Sequence, residues 1–173
     1  MKREKFILKT GRLTIAEFTP EMAASVSAQS LDADNRRFLP DEVFETEEIA
    51  AEVIADLSAL YDAAEGPLVY PVLLEGCHIG HVEAVPLEAG GWEIGYHIGA
   101  EYAGQGYATE AVRAFAPEIM RRLGIRRLSG ICHAENTASC RVLEKAGFAL
   151  EFAGMGLYQG SDAPVQRYVL RLD

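Results

Sequence analysis

Between Trp92 and Leu123 the chain reads WEIGYHIGAEYAGQGYATEAVRAFAPEIMRRL, and this stretch restricts the fold more than any other. Trp92, Ile94, Tyr96 and Ile98 share one parity, with Glu93, Gly95 and His97 on the other. That is a period of two, the signature of a strand. Gly99 and the small-residue run Ala103-Gly104-Gln105-Gly106 follow, after which Ala108, Ala111, Val112, Phe115 and Ile119 recur at helical spacing. A strand that enters a helix through glycines has a physical use. The first N–H groups of a helix have no intrahelical partner. The helix dipole adds partial positive charge there, and glycine lets an anion approach the backbone. The turn reads as a phosphate or pyrophosphate cradle.

Elimination narrows the ligand. No Gly-Lys-Ser/Thr is present, which removes a Walker-type loop with its lysine and magnesium-binding hydroxyl, and with it a nucleotide hydrolase or kinase. A dinucleotide fingerprint needs a glycine three residues after Gly106, where Thr109 stands.

The remaining sequence surrounds this unit with short elements. Lys5–Leu8 and Leu13–Phe18, about the turn Thr10-Gly11, form a first strand region. Thr19-Pro20 opens a helix, with Thr19 as N-cap and proline at N1. Asp32 to Pro40 reads as irregular. Thr46 to about Ala63 carries an apolar stripe of Ile49, Val53 and Leu57, an amphipathic helix stopped by Gly66-Pro67. Leu68–Leu74, His78–Val85 and Trp92–Ile98, joined by glycine turns, predict an antiparallel meander. The central helix spans about Tyr107 to Leu123 and ends at Gly124, with a kink expected at Pro117. Arg127–His133 follows through a connection long enough for a parallel crossover. Asn136 caps a second helix running to Ala146, and Phe148–Met155 with Pro164–Leu170 form a closing hairpin. With no repeat and no linker, residues 1–173 form a single α/β domain.

Composition excludes several classes. A formal charge of −10 argues against nucleic acid, whose binding rests on cationic contacts to phosphate. No run approaches the roughly 18 apolar residues of a membrane span. The three cysteines, Cys77, Cys132 and Cys140, have no CxxC spacing, so neither a disulfide framework nor a zinc knuckle is indicated. The expectation is a reduced, cytoplasmic protein that binds neither membrane nor metal. His78 and His81, three apart on a strand, are expected on opposite faces. His97 and His133 fall at the ends of the two strands flanking the crevice, more in keeping with packing than with chemistry.

The segment EIGYHIGAEYAGQGYATEA resembles the acyl-CoA-binding segment of the GNAT superfamily of N-acetyltransferases, whose pattern is Gln/Arg-x-x-Gly-x-Gly/Ala. Gly106 and Ala108 fill its last two fixed positions, while Ala103 stands where the family has Gln or Arg. A second segment, ENTASCRVLEKAGF from Glu135 to Phe148, is similar to the family's Asn-x-x-Ala/Ser-x-x-x-Leu/Tyr-Glu-Lys-x-Gly-Phe block. Its spelling resembles the Rim-type, ribosomal-protein-alanine acetyltransferase branch, as do Thr10-x-Arg12-Leu13 and Asn35 to Pro40.

The resemblance implies a mixed α/β (α+β) fold. Its mostly antiparallel sheet has about seven strands, helices on both faces and a parallel pair splayed at the acyl-CoA site. It implies acetyl-CoA as co-substrate, cradled by Ile98, Gly99, Ala103, Gly104, Gln105, Gly106, Tyr107, Ala108 and Thr109, with Asn136 on the pantetheine arm. Leu143 stands where much of the family has a proton-donating tyrosine, and the branch resemblance hands that role to Ser139. The acceptor would be a primary amine, on a protein N-terminus or a small cationic molecule, and a homodimer is compatible. An amine of pKa about 10 must lose its proton before attacking a thioester, for which a carboxylate is the usual base. Glu93 is the candidate and Glu83 the runner-up. Backbone N–H groups freed where the strand diverges at Ile98-Gly99 would stabilise the oxyanion. Cys140 has no evident activating partner, so direct transfer is expected rather than an acyl-cysteine. A non-catalytic acyl-CoA-binding module is the alternative. From Phe38 to Glu65 there are nine carboxylates and no Lys or Arg, of which Asp41, Glu42 and Glu45 are placed to meet a cationic amine.

Overall fold

A computed structural model describes residues 3–63 and 65–173. Its eight strands form one sheet in the order β1-β2-β3-β4-β5-β6-β8-β7. They are β1 (Leu8–Lys9), β2 (Leu13–Ile15), β3 (Leu68–Leu74), β4 (Cys77–Pro86), β5 (Trp92–Ile98), β6 (Arg127–His133), β7 (Ala149–Tyr158) and β8 (Ser161–Arg171). The helices are α1 (Ala23–Ser30), α2 (Ala33–Phe38), α3 (Glu47–Leu60), α4 (Tyr107–Leu123) and α5 (Thr137–Lys145). All neighbouring strands are antiparallel except β5 and β6. That parallel pair keeps register only at Glu93–Ser129 and Ile94–Gly130, so beyond Gly95 the two strands splay apart.

Strand alternation sends successive side chains to opposite faces. Tyr70, Val72, Val82, Ala84 and Ile94 join Ala111, Val112, Phe115 and Ile119 of α4 in the main core. Val69, of the opposite parity, packs with Phe18, Ala23, Ala50 and Ile54 under α1 and α3. The sheet is therefore covered on both faces. Helix α4 follows its apolar stripe without interruption through Pro117 and ends at Gly124, whose φ of 66° is the left-handed conformation glycine tolerates.

The mostly antiparallel sheet with one parallel pair is as expected, its eight strands including the two short pieces about the Thr10–Gly11 turn. Several other expectations need correction. Asp32 to Pro40 is not irregular: Ala33–Phe38 forms α2, closed at its start by Arg36 N–H donating to Asp32 O at 3.0 Å. Thr19 precedes a single 3-10 turn, and α1 begins only at Ala23. His78 and His81 do not point to opposite faces. A bulge sets Val72 opposite Gly80 but Leu73 opposite His78, so one extra residue of β4 lies between them and both imidazoles line the same cavity.

Candidate active site

The cradle is built where β5 passes into α4. Gly106 takes φ 81° at the helix N-cap, with no side chain capping the first turn, so its N–H groups stay open to a ligand. Ala103, Gly104, Gln105 and Gly106 are exposed, Ala108 and Thr109 half-buried, and Tyr107 turns into the core. The positive charge missing at Ala103 arrives from elsewhere. Arg12, on the turn between β1 and β2, donates through Nη1 to Gln105 O at 3.1 Å and lays its guanidinium 4.4 Å from the centre of the Tyr107 ring. Glu110 holds it there, accepting from Arg12 Nε at 2.6 Å and from the Arg12 N–H at 2.8 Å. Arg113 and Lys145 line the same open cleft with Gly106 and Thr109. Uncapped amides and three cations fit the phosphates of coenzyme A.

At the splay, the Gly99 N–H is already spent on Ile79 O at 2.8 Å, so it is not the free donor expected. Hydrogen-bonding direction alternates along a strand. With Gly99 turned toward β4, Tyr96 and Ile98 direct their N–H groups toward β6, where no register pairs remain. Across the gap, α5 starts at Asn136, whose Oδ1 accepts from Ser139 N–H at 3.2 Å. Asn136 therefore caps the helix and fixes the turn carrying Ser139. The Tyr96 hydroxyl donates to Ser139 O at 2.7 Å and lies 2.9 Å from Ser139 Oγ. Tyr96 counted only as a strand apolar position in the sequence, because the partner that makes it polar lies on another element.

The opposite face of β4 and β5 carries the acids. Glu83 pairs with Gly95, and a Cβ on Gly95 would sit 2.3 Å from Glu83 Oε1, so the missing side chain is the space the Glu83 carboxylate occupies. Glu93 lies opposite Val85, beside the closed part of the β5–β6 pair. Burial pushes Glu93 up to about 7, with Arg167 opposing. Glu83 is raised too, by burial first and then by Glu42 and Glu93.

Of the acidic run, only Glu42 reaches this face. Its segment is strapped down by buried polar side chains of α1 and α2. Ser27 Oγ donates to Phe44 O at 2.8 Å, Phe44 N–H to Ser30 Oγ at 2.8 Å, and Asn35 Nδ2 to Glu42 O at 3.1 Å. Glu42, His81 and Glu83 then offer ligand atoms all within 4.8 Å of one another. Glu45 instead pairs with Arg36 at 3.3 Å in solvent. Burial lowers His78 to about 4 and His81 to about 3, so both imidazoles are neutral near pH 7. His133 packs between Phe38 and Tyr158. Cys132 and Cys140 are buried, and burial raises the Cys132 thiol, which leaves it unreactive.

Known proteins share this fold. The Acetyltransferase (GNAT) domain family matches residues 12–149. An uncharacterised N-acetyltransferase of Bacillus subtilis, YnaD, is 31% identical over 147 residues, covering 83% of each chain. A GNAT-family acetyltransferase from Bacillus anthracis superposes with a TM-score of 0.80 at 25% identity, over 96% of this chain and 98% of that one. The RimL ribosomal L7/L12 alpha-N-protein acetyltransferase in complex with coenzyme A has the same fold, with a TM-score of 0.81 at 19% identity over 97% and 99% of the two chains. No helix among the described residues is long and apolar enough to cross a membrane. Sheet, splay, cradle and sequence relatives agree, and the chain belongs to the GNAT family of N-acetyltransferases.

Proposed function

We propose that this acetyltransferase moves the acetyl group of acetyl-CoA directly to a primary amine, with Glu83 as general base and Ser139 as general acid. The observation that carries the reading is the position of Glu83 across Gly95, at the first β5 residue beyond the closed β5–β6 register. Glu93 is one register pair deeper in the closed sheet, which favours Glu83 over it. A carboxylate raised toward neutrality is a competent acceptor for an ammonium proton, since base strength and availability are balanced near the working pH.

Acetyl-CoA supplies the thioester carbonyl, and Arg12, Arg113, Lys145 and the α4 amides are the groups suited to its phosphates. Glu83 takes one proton from the ammonium. The freed nitrogen attacks the carbonyl carbon, and the N–H groups of Tyr96 and Ile98 stabilise the oxyanion. On collapse the carbon–sulfur bond breaks, Ser139 gives its proton to the sulfur, and the second proton of the nitrogen replaces it. Tyr96, bonded to Ser139 at 2.9 Å, positions that hydroxyl. Free thiol release with an amine panel tests the scheme. Glu83→Gln and Ser139→Ala should each lower kcat at least tenfold while coenzyme A affinity stays within about twofold. Coenzyme A binding with no amine-dependent thiol release would make the chain a binding module.

A further inference from the structure

The cavity behind Glu83 is partly open and two-ended. Its space of about 170 Å³ lies between α1, α3 and the sheet. One end is hydrocarbon: Phe18, Val26, Ile54, Leu57 and Val69. The other end, beside the splay, presents Glu42, His81, Glu83 and His97. Among the described residues lining it there is no Lys or Arg. Two carboxyl groups drawn together at the rim of an apolar space must either hold protons or meet a cation, because an unpaired buried charge is costly.

The interior is poorly suited to a polypeptide. Its amide and hydroxyl donors are already used within the protein: Gln29 Nε2 on Ser25 Oγ and His78 O, Asn35 Nδ2 on Ser30 O and Glu42 O, Ser30 Oγ on Ser27 O. Beyond these, the buried ring nitrogens His78 Nε2 and His97 Nε2 are the unpartnered polar side-chain atoms among the described residues, too few to serve the successive carbonyls of a peptide backbone entering here. A bare metal ion would satisfy the carboxylates and leave the apolar end empty. A primary amine with a hydrocarbon body satisfies both ends in one orientation, ammonium at the splay and body under α3. The size is informative as well, since a cavity of about 150 Å³ with apolar walls accepts benzene.

Resting on the acetyl-transfer reading above, we infer that the acceptor is a small primary amine with an uncharged hydrocarbon body of about six carbons. It sits with its ammonium between Glu42 and Glu83 and its body in this cavity. Glu42 is then a specificity-determining residue, and Asn35, through its bond to the Glu42 carbonyl, a positioning one.

The test is thiol release from acetyl-CoA with n-alkylamines from propyl to octyl, 2-phenylethylamine, spermidine and a serine-led peptide amide. kcat/KM should rise about fourfold per methylene, the transfer value for a buried CH₂, to about six carbons and fall beyond. Phenylethylamine should exceed spermidine and the peptide by at least a hundredfold. Leu57→Phe, which fills the hydrocarbon end from a half-buried position, should cut hexylamine at least tenfold more than propylamine. A flat alkylamine series, or a peptide that outruns every alkylamine, overturns this inference and leaves acetyl transfer standing. Micromolar binding of Mn²⁺ or Zn²⁺ that Glu42→Gln abolishes overturns it in favour of a metal site. Coenzyme A binding with no thiol release for any amine overturns the transfer reading, and this one with it.

Discussion

Gly95→Ala separates the two candidate bases without replacing either. The new Cβ would lie 2.3 Å from Glu83 Oε1, 2.7 Å from Cγ and 2.9 Å from Cδ, so the Glu83 side chain must swing away from β5. The backbone itself accepts alanine, since Gly95 is not among the glycines of positive φ. Replacing glycine in a strand gains about 0.5–1 kcal/mol. Overpacking costs about 1–3 kcal/mol. The net loss is at most about 2.5 kcal/mol, and at 2–4 °C per kcal/mol for a chain of this size Tm should fall by no more than about 10 °C. A positioned general base is worth about 10²–10⁴ in rate. We expect kcat/KM for the acceptor to fall about a hundredfold, with coenzyme A affinity by calorimetry unchanged within about twofold. Thiol release and a thermal melt on the same preparation decide the matter. If Gly95→Ala keeps its rate within about threefold while Glu93→Gln abolishes turnover, Glu93 is the base and the assignment to Glu83 is wrong.

Gly106→Val forces a β-branched residue to a φ of 81° at the cradle and should weaken coenzyme A binding at least tenfold by calorimetry, with the strain lowering the melt by a few degrees. Tyr96→Phe removes the hydroxyl that holds Ser139 and should lower kcat more than the KM for acetyl-CoA; equal losses in both would mean that Tyr96 serves only packing. Glu42→Gln should raise the KM of a cationic acceptor and flatten its salt dependence, whereas Glu45→Gln, removing a carboxylate already paired with Arg36 in solvent, should change neither. Stability should depend on pH in an unusual direction. Burial raises Glu42, Glu83 and Glu93 above 4.5, the ordinary value, so the folded state holds protons that the unfolded state has lost. Their contribution is complete below about 4.5 and fades as pH climbs through about 7 to 8, while His78, His81 and His97, lowered by burial, act in the opposite sense only up to their ordinary value of 6.5, so the free protein should melt lower at pH 8.5 than at pH 7. Glu83→Gln should shrink that difference, and a melt that rises from pH 7 to pH 8.5 would contradict the burial of this cluster.

What sequence reading reaches in this chain is what short-range physics decides. The strand, glycine turn and helix from Trp92 to Leu123 are legible because period two, permissive glycines and period 3.6 are all local. The cap at Asn136 is local for the same reason. Arg12 escapes notice as a cradle residue because it lies 93 positions from its Gln105 partner. The choice between Glu83 and Glu93 turns on where the parallel register ends, and that depends on β6. His78 and His81 mislead because a bulge breaks the alternation their spacing assumes. Glu42 is one of nine similar carboxylates until buried Ser27, Ser30 and Asn35 fasten its segment over the sheet.

A sheet that is closed at only two pairs between β5 and β6 is, mechanically, two plates joined along a short weld. Hydrogen bonds on either side of the weld share a load among many rungs, whereas the weld has few. Thermal motion should therefore collect as a scissoring of the five-strand plate against the three-strand plate, with α4 lying across β2, β4, β5 and β6 as the spring. Such a slit can open for the bulky product of a transfer and close again without breaking any strand pairing in either plate.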